Sequence, residues 1–221
     1  MIPKNQALDY EAAGVRQDNL LVKIWLHPTA TLRYILAHCP RSYVTTLLVL
    51  GGIARAIDRV QQKGAGHLSV ESALSIALVM GGLTGWMTYY CYSWGLEWTG
   101  RWLGGRADAS TFRTVIAWAL VPTCLTLLTT GLAYAIQGDG FFRHDYDLDV
   151  ATAGGLLVAL LSLLEIVLAG WAVVIFVKGT MLVQQFSAWR AIGNMVLPGA
   201  VLLVLVGGFM GLYGLLEFAT S

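Results

Sequence analysis

Glu165 is the residue of this chain best placed to do chemistry. It sits near the middle of an apolar run, about Val150–Phe176, long enough to cross a bilayer. A carboxylate at that depth is costly, so it faces a bundle interior or a wet cavity and takes a partner. Arg55 is the candidate. At ~1.5 Å per residue, Glu165 lies about 20 Å from Lys178 at one end of its run, and Arg55 lies about 21 Å from Arg41 at the end of its own. The spacing therefore predicts an Arg55–Glu165 ion pair, with Asp58 and Arg59 extending this intramembrane charged cluster about one turn outward. Two roles are open. A buried pair fixes helix register, whereas a Glu165 that exchanges protons or binds a cation belongs to a translocation path.

Enzyme templates find no footing. The sequence has no nucleophile elbow, HExxH, P-loop or dinucleotide fingerprint, and its four His residues are dispersed. A non-enzymatic protein is expected, with no catalytic residue, no metal and no cofactor. Cys39, Cys91 and Cys124 lack metal or redox spacing and read as packed thiols. The acidic stretch Gly138–Asp149, with Asp139, His144, Asp145, Asp147 and Asp149, misses the Gly and Glu positions of an EF-hand and reads as a solvated loop.

Composition says what must position the cluster. Of 221 residues, 57% are hydrophobic and only 12% charged, against roughly a quarter charged in a soluble domain. The charges gather between long apolar runs, the pattern of a polytopic membrane protein. A net charge of +1 with no basic arm gives no reason to expect nucleic acid. No cleavable signal peptide is visible, because charges interrupt the first ~40 residues.

In order, residues 1–24 form a mixed-charge cytoplasmic leader, and 25–40 an amphipathic helix opened by Pro28, with Leu32, Ile35, Leu36 and Cys39 on one face. That helix lies in the interface or packs on the bundle; the sequence is compatible with both. Residues 41–221 hold five expected spans: about Tyr43–Ile57 or a little beyond, Leu68 past Tyr90, Thr111–Gln137, Val150–Phe176 and Met195–Phe218. The fold class is an all-α transmembrane bundle of five helices. Trp94, Trp98 and Trp102 form an aromatic stripe at the end of the second span. Gly81 with Gly85, and Gly207 with Gly211 and Gly214, offer small faces for close helix packing. Pro122 and Pro198 mark kinks. Between the second and third spans, Gly104 and Gly105 stop one helix, and Asp108 or Ser110 caps the next.

Ten of the fourteen Lys and Arg residues fall on the side of the N-terminus, which places it in the cytoplasm and the C-terminus outside.

The hinge GGRADASTFRTVIAWALVP, Gly104–Pro122, together with WLHPTATLRYIL, Trp25–Leu36, resembles the Yip1-domain membrane proteins in a bacterial-looking form. The resemblance runs from about Trp25 to the C-terminus. It implies five spans and a cytosolic N-terminus, in agreement with the charge count. It also implies a role like that of the eukaryotic Yip1-like proteins, which work in vesicle trafficking and associate with Rab-type GTPases and one another. The leader is short and lacks their acidic DLYGP-like motif. The expected function is a scaffold or assembly factor working through helix and lipid contacts in a bacterial inner membrane. Its expected partners are membrane lipids and a membrane-protein partner or second copy. The alternative is a small transporter or channel using Glu165 with Arg55 and Asp58.

Overall fold

The computed structural model describes residues 10–63, 70–142 and 149–220, and all regular structure among them is helical. Two short helices come first, α1 (Leu20–Leu26) and α2 (Pro28–His38). They break at His27 because Pro28 has no N–H to continue the ladder. Leu32 and Ile35 of α2 are fully buried, and α2 lies against the later helices α5 (Ala109–Ala119) and α7 (Ala153–Gln184). A Cβ at Gly179 of α7 would meet Val115 Cγ1 of α5 at 2.4 Å and Leu32 Cδ1 at 3.1 Å. The stretch expected as one helix over 25–40 is thus divided, and its apolar stripe is turned onto the protein.

Helices α3 (Val44–Lys63) and α4 (Val70–Trp102) cross backbone to backbone. A Cβ on Gly85 would stand 2.4 Å from Gly52 Cα, and one on Gly52 would stand 2.5 Å from the Gly81 carbonyl oxygen. Only glycine fits there.

The centre belongs to α5. Phe112 and every residue from Thr114 to Ala119 are buried, so beyond its first turn this helix is enclosed on nearly all sides. It ends at Leu120, and α6 (Val121–Gln137) begins with Pro122 in its first turn. Pro122 therefore marks a break between two helices, because its ring excludes a continuous ladder through Leu120. A 3₁₀ turn follows at Gly138–Phe142, then α7, whose N-cap Thr152 accepts from the Gly155 N–H. The last helix, α8 (Ala188–Thr220), keeps Pro198 inside it, facing Gly95 of α4. The Tyr92 hydroxyl donates to the nearby Met195 carbonyl at 2.7 Å.

Three stretches among the described residues are long and apolar enough to cross a membrane: Ala109–Gln137, Ala153–Gln184 and Ala188–Gly211, with mean hydropathy of 1.8, 2.5 and 2.0. Helices α3 and α4 are not among them. Arg55, Asp58 and Arg59 dilute the first, and Ser, Thr and Tyr the second. Helix ends also differ from the expected span ends. The fourth continues past Phe176 to Gln184, and the fifth starts at Ala188 rather than Met195.

Candidate functional site

Glu165 of α7 accepts hydrogen bonds from two threonines of α6. Thr129 Oγ1 lies 2.6 Å from Glu165 Oε1 and Thr130 Oγ1 lies 3.2 Å from it. The Thr129 hydroxyl also lies 2.9 Å from the Thr126 carbonyl, so its single proton has two acceptors in reach.

The expected Arg55–Glu165 pair does not form. Arg55 turns to α4 instead, its guanidinium 5.4 Å from the Tyr89 ring centre. The reason is angular. Gly52, Arg55, Ala56 and Arg59 stand at i, i+3, i+4 and i+7, one helical face, and close contact at Gly52 and Ala56 turns that face onto α4. Asp58 lies off that face and is the residue of the cluster within electrostatic reach of Glu165, as well as of Arg55. Depth arithmetic carried no azimuth.

A second polar assembly, at the hinge, was only partly anticipated. Gly104 takes φ +85°, a left-handed backbone, and the Gly105 N–H returns to the Gly100 carbonyl at 2.8 Å, closing α4. Asp108 is the N-cap of α5: it accepts from the Thr111 N–H at 3.2 Å, the Thr111 hydroxyl and the Ser110 hydroxyl at 2.5 Å. The Ser110 and Thr111 hydroxyls hold its carboxyl below the usual carboxylate range. Glu97 of α4 receives the Ala109 N–H at 2.9 Å and pairs with Arg101, tying α4 to the start of α5.

From α7, Gln184 Oε1 accepts the Ala107 N–H at 3.0 Å. From α8, Asn194 meets the Thr99 hydroxyl at 2.8 Å. The Thr99 hydroxyl also lies 2.9 Å from the Gly95 carbonyl, so its single proton has that carbonyl and Asn194 Oδ1 as acceptors in reach. Asn194 Nδ2 and Gln184 Nε2 are both buried beside Gly100. Gln184 and Asn194 were missed in the sequence. Their signal was a carboxamide at each edge of an apolar helix, opposite glycines at 100 and 105.

The glycine faces divide. Gly81 and Gly85 meet Gly52, whereas a Cβ on Gly207 or Gly211 would have nothing within 4 Å. The surroundings of Gly214 lie outside the described residues, as does the acidic loop at 143–148.

The architecture and hinge frame one comparison. A family model, Yip1 domain, matches residues 22–209, nearly the whole helical part of the chain. The chain belongs to the Yip1-domain family. Among curated proteins and solved structures nothing matches it significantly. The Yip1 match spans both polar assemblies and the open face of α8 up to residue 209. The family and the three apolar stretches make this a membrane protein.

Proposed function

We propose that the chain is a five-span, non-enzymatic scaffold or assembly factor that works by helix and lipid contacts in a bacterial inner membrane. The observation that carries this reading is the state of α8. Only 6% of its apolar stretch is covered by the rest of the chain, and its glycines Gly207 and Gly211 face open space. A membrane-protein partner or a second copy of the chain is the occupant this face suits. Helices α3 and α4 supply the first two of the five spans in this reading, held in the bilayer by their mutual packing. The C-termini of α4 and α7 and the N-terminus of α5 meet at the hinge, which supports antiparallel passes. The excess of Lys and Arg on that side supports a cytoplasmic N-terminus and an outward C-terminus.

Co-purification from native membranes in mild detergent tests the reading. A stoichiometric membrane partner, or a dimer cross-linked through Cys placed at Gly207 or Gly211, is the expected result. A clean monomer with no cross-link rejects it.

A second reading, a small transporter or channel, is favoured by one observation. The Thr129 proton has two acceptors, and a proton or cation carried by Glu165 resolves that competition. Liposome flux that disappears in Glu165→Gln, with the fold intact, supports this reading. Flux indifferent to that change ends it.

A further inference from the structure

Arg55 and Arg59 are both exposed, one turn apart on the same face of α3, and among the described residues no carboxylate lies within 4 Å of either. Asp58 is within electrostatic reach of Arg55, but it stands off this face, toward Glu165, whose like charge repels its own. Arg59 is four residues and Arg55 eight residues before the end of α3 at Lys63, so about 6 and 12 Å along the axis. That depth suits side chains reaching from a head-group layer into hydrocarbon.

Across from them, Tyr89 of α4 is 4% exposed and its hydroxyl has no hydrogen-bond partner. It lies within electrostatic reach of both guanidiniums. Arg55 keeps its guanidinium near the Tyr89 ring, and among the described residues no carboxylate within 4 Å takes its N–H donors.

These three side chains line a cavity of about 230 Å³ between α3 and α4. Arg55 and Tyr89 also line a second cavity, of about 440 Å³, whose remaining wall is largely apolar, with Ile116, Leu120, Val173 and Phe176. The two spaces have Arg55, Thr88 and Tyr89 in common in their walls, and the larger one continues along apolar side chains.

We propose that Arg55, Arg59 and Tyr89 bind the phosphate of an anionic phospholipid, with an acyl chain lying along the apolar cavity beside α5 and α7. Two guanidinium forks and a phenol offer more donors than one carboxylate can accept, and phosphate oxygens match them. The bound anion would give the buried Tyr89 hydroxyl its missing acceptor. This site requires only a membrane-embedded chain, so it stands or falls independently of the scaffold reading.

Native mass spectrometry of the full-length protein tests it, with titration by phosphatidylglycerol, phosphatidylcholine and inorganic phosphate. Phosphatidylglycerol should be retained about tenfold better than phosphatidylcholine: both present the phosphodiester, but only phosphatidylglycerol keeps a net negative charge, the choline ammonium of the other offsetting it. Arg55→Gln with Arg59→Gln should remove that preference, and Tyr89→Phe should weaken it by about threefold. Helical circular dichroism and melting check the fold of each variant. Should the double Gln variant fail to fold, Arg55→Lys with Arg59→Lys keeps the charges but loses bidentate donors, and should show an intermediate preference. Equal retention of the two lipids overturns the proposal, and so does a preference unchanged by the Arg or Tyr substitutions. Inorganic phosphate that competes as well as the lipid does, mole for mole, overturns the acyl-chain half of it.

Discussion

Gly81 and Gly85 on α4 repeat the spacing of Gly207 and Gly211 on α8, and the chain uses the two pairs in opposite ways. The first pair is closed on Gly52, with backbones so near that a single methyl group would overlap Cα or a carbonyl oxygen. The second meets nothing within 4 Å. Spacing alone therefore says that a helix can be approached closely, and not by what. In the first case the answer lies in the same chain, because Gly52 faces the pair from α3. In the second the described residues provide no such neighbour.

Substitution at Gly52 gives the widest separation between the two regions. Gly52→Val should cost about 3 kcal/mol or more, the upper range for overpacking, since backbone atoms of α4 at 2.5 and 2.6 Å cannot move aside as a side chain does. Loss of the cooperative melt in detergent is the expected readout. A melting temperature equal to wild type would mean that α3 and α4 do not cross as described.

Next in size is Gly105→Ala. Its Cβ would stand 2.0 Å from Gln184 Oε1, which also receives the Ala107 N–H. Releasing that bond should cost about 1–3 kcal/mol as a buried group loses its partner. Pairing the change with Gln184→Ala in a double-mutant cycle should recover part of the loss; strict additivity would separate the two sites.

Asp108→Ala should lower stability by about 1 kcal/mol through loss of the N-cap. The pH dependence has a definite sign. Because its hydrogen bonds depress the folded-state pKa, the stabilising contribution is full above the unfolded carboxylate value and is lost as pH falls through the folded one. Wild-type melting temperature should thus fall more steeply than that of Asp108→Asn below about pH 4. Parallel curves would remove Asp108 from the capping role.

The smallest effect sharpens the contrast. Gly211→Ala should change monomer stability by no more than about 0.5 kcal/mol, as for an uncovered surface position. A reduced yield of co-purified partner or dimer in that variant would nevertheless mark α8 as the contact face. A marked loss of monomer stability would show that the face is already filled.

Much of this was legible in the residues themselves. Continuous apolarity identified the stretches that became α5 with α6, α7 and α8, since nothing but a helix satisfies its own backbone in lipid. Gly104 and Asp108 announced the hinge by their types, one for its left-handed angle and one for its side-chain acceptor. Pro122 announced a kink, which the structure makes a break between α5 and α6, and Pro28 announced a start. Helix ends were less legible. Hydropathy marks where the hydrocarbon stops, while α7 and α8 continue as helix through Gln184 and from Ala188. The partner of Glu165 was not legible either. Counting residues gives height along a helix, and the missing coordinate was rotation. It was available in principle, because Gly52 and Arg55 are three residues apart and a glycine facing a glycine pair orients everything else on its face. The Thr129 and Thr130 hydroxyls had no pattern to set them apart from other threonines of α6.

The lengths of two helices carry a mechanical consequence. With 33 residues, α4 is about 50 Å long, and α7 with 32 is about 48 Å, whereas a bilayer's hydrocarbon core is ~30 Å. Both finish at the hinge, joined through Glu97 and Gln184 to the first turn of α5 and the residues before it. The chain thus ends two long helices in one cross-braced platform. A thinner or thicker membrane alters the inclination of such helices. In the five-span reading both helices cross the bilayer, and a change in the thickness of the surrounding sheet would then become a change in the slope of the surface they carry.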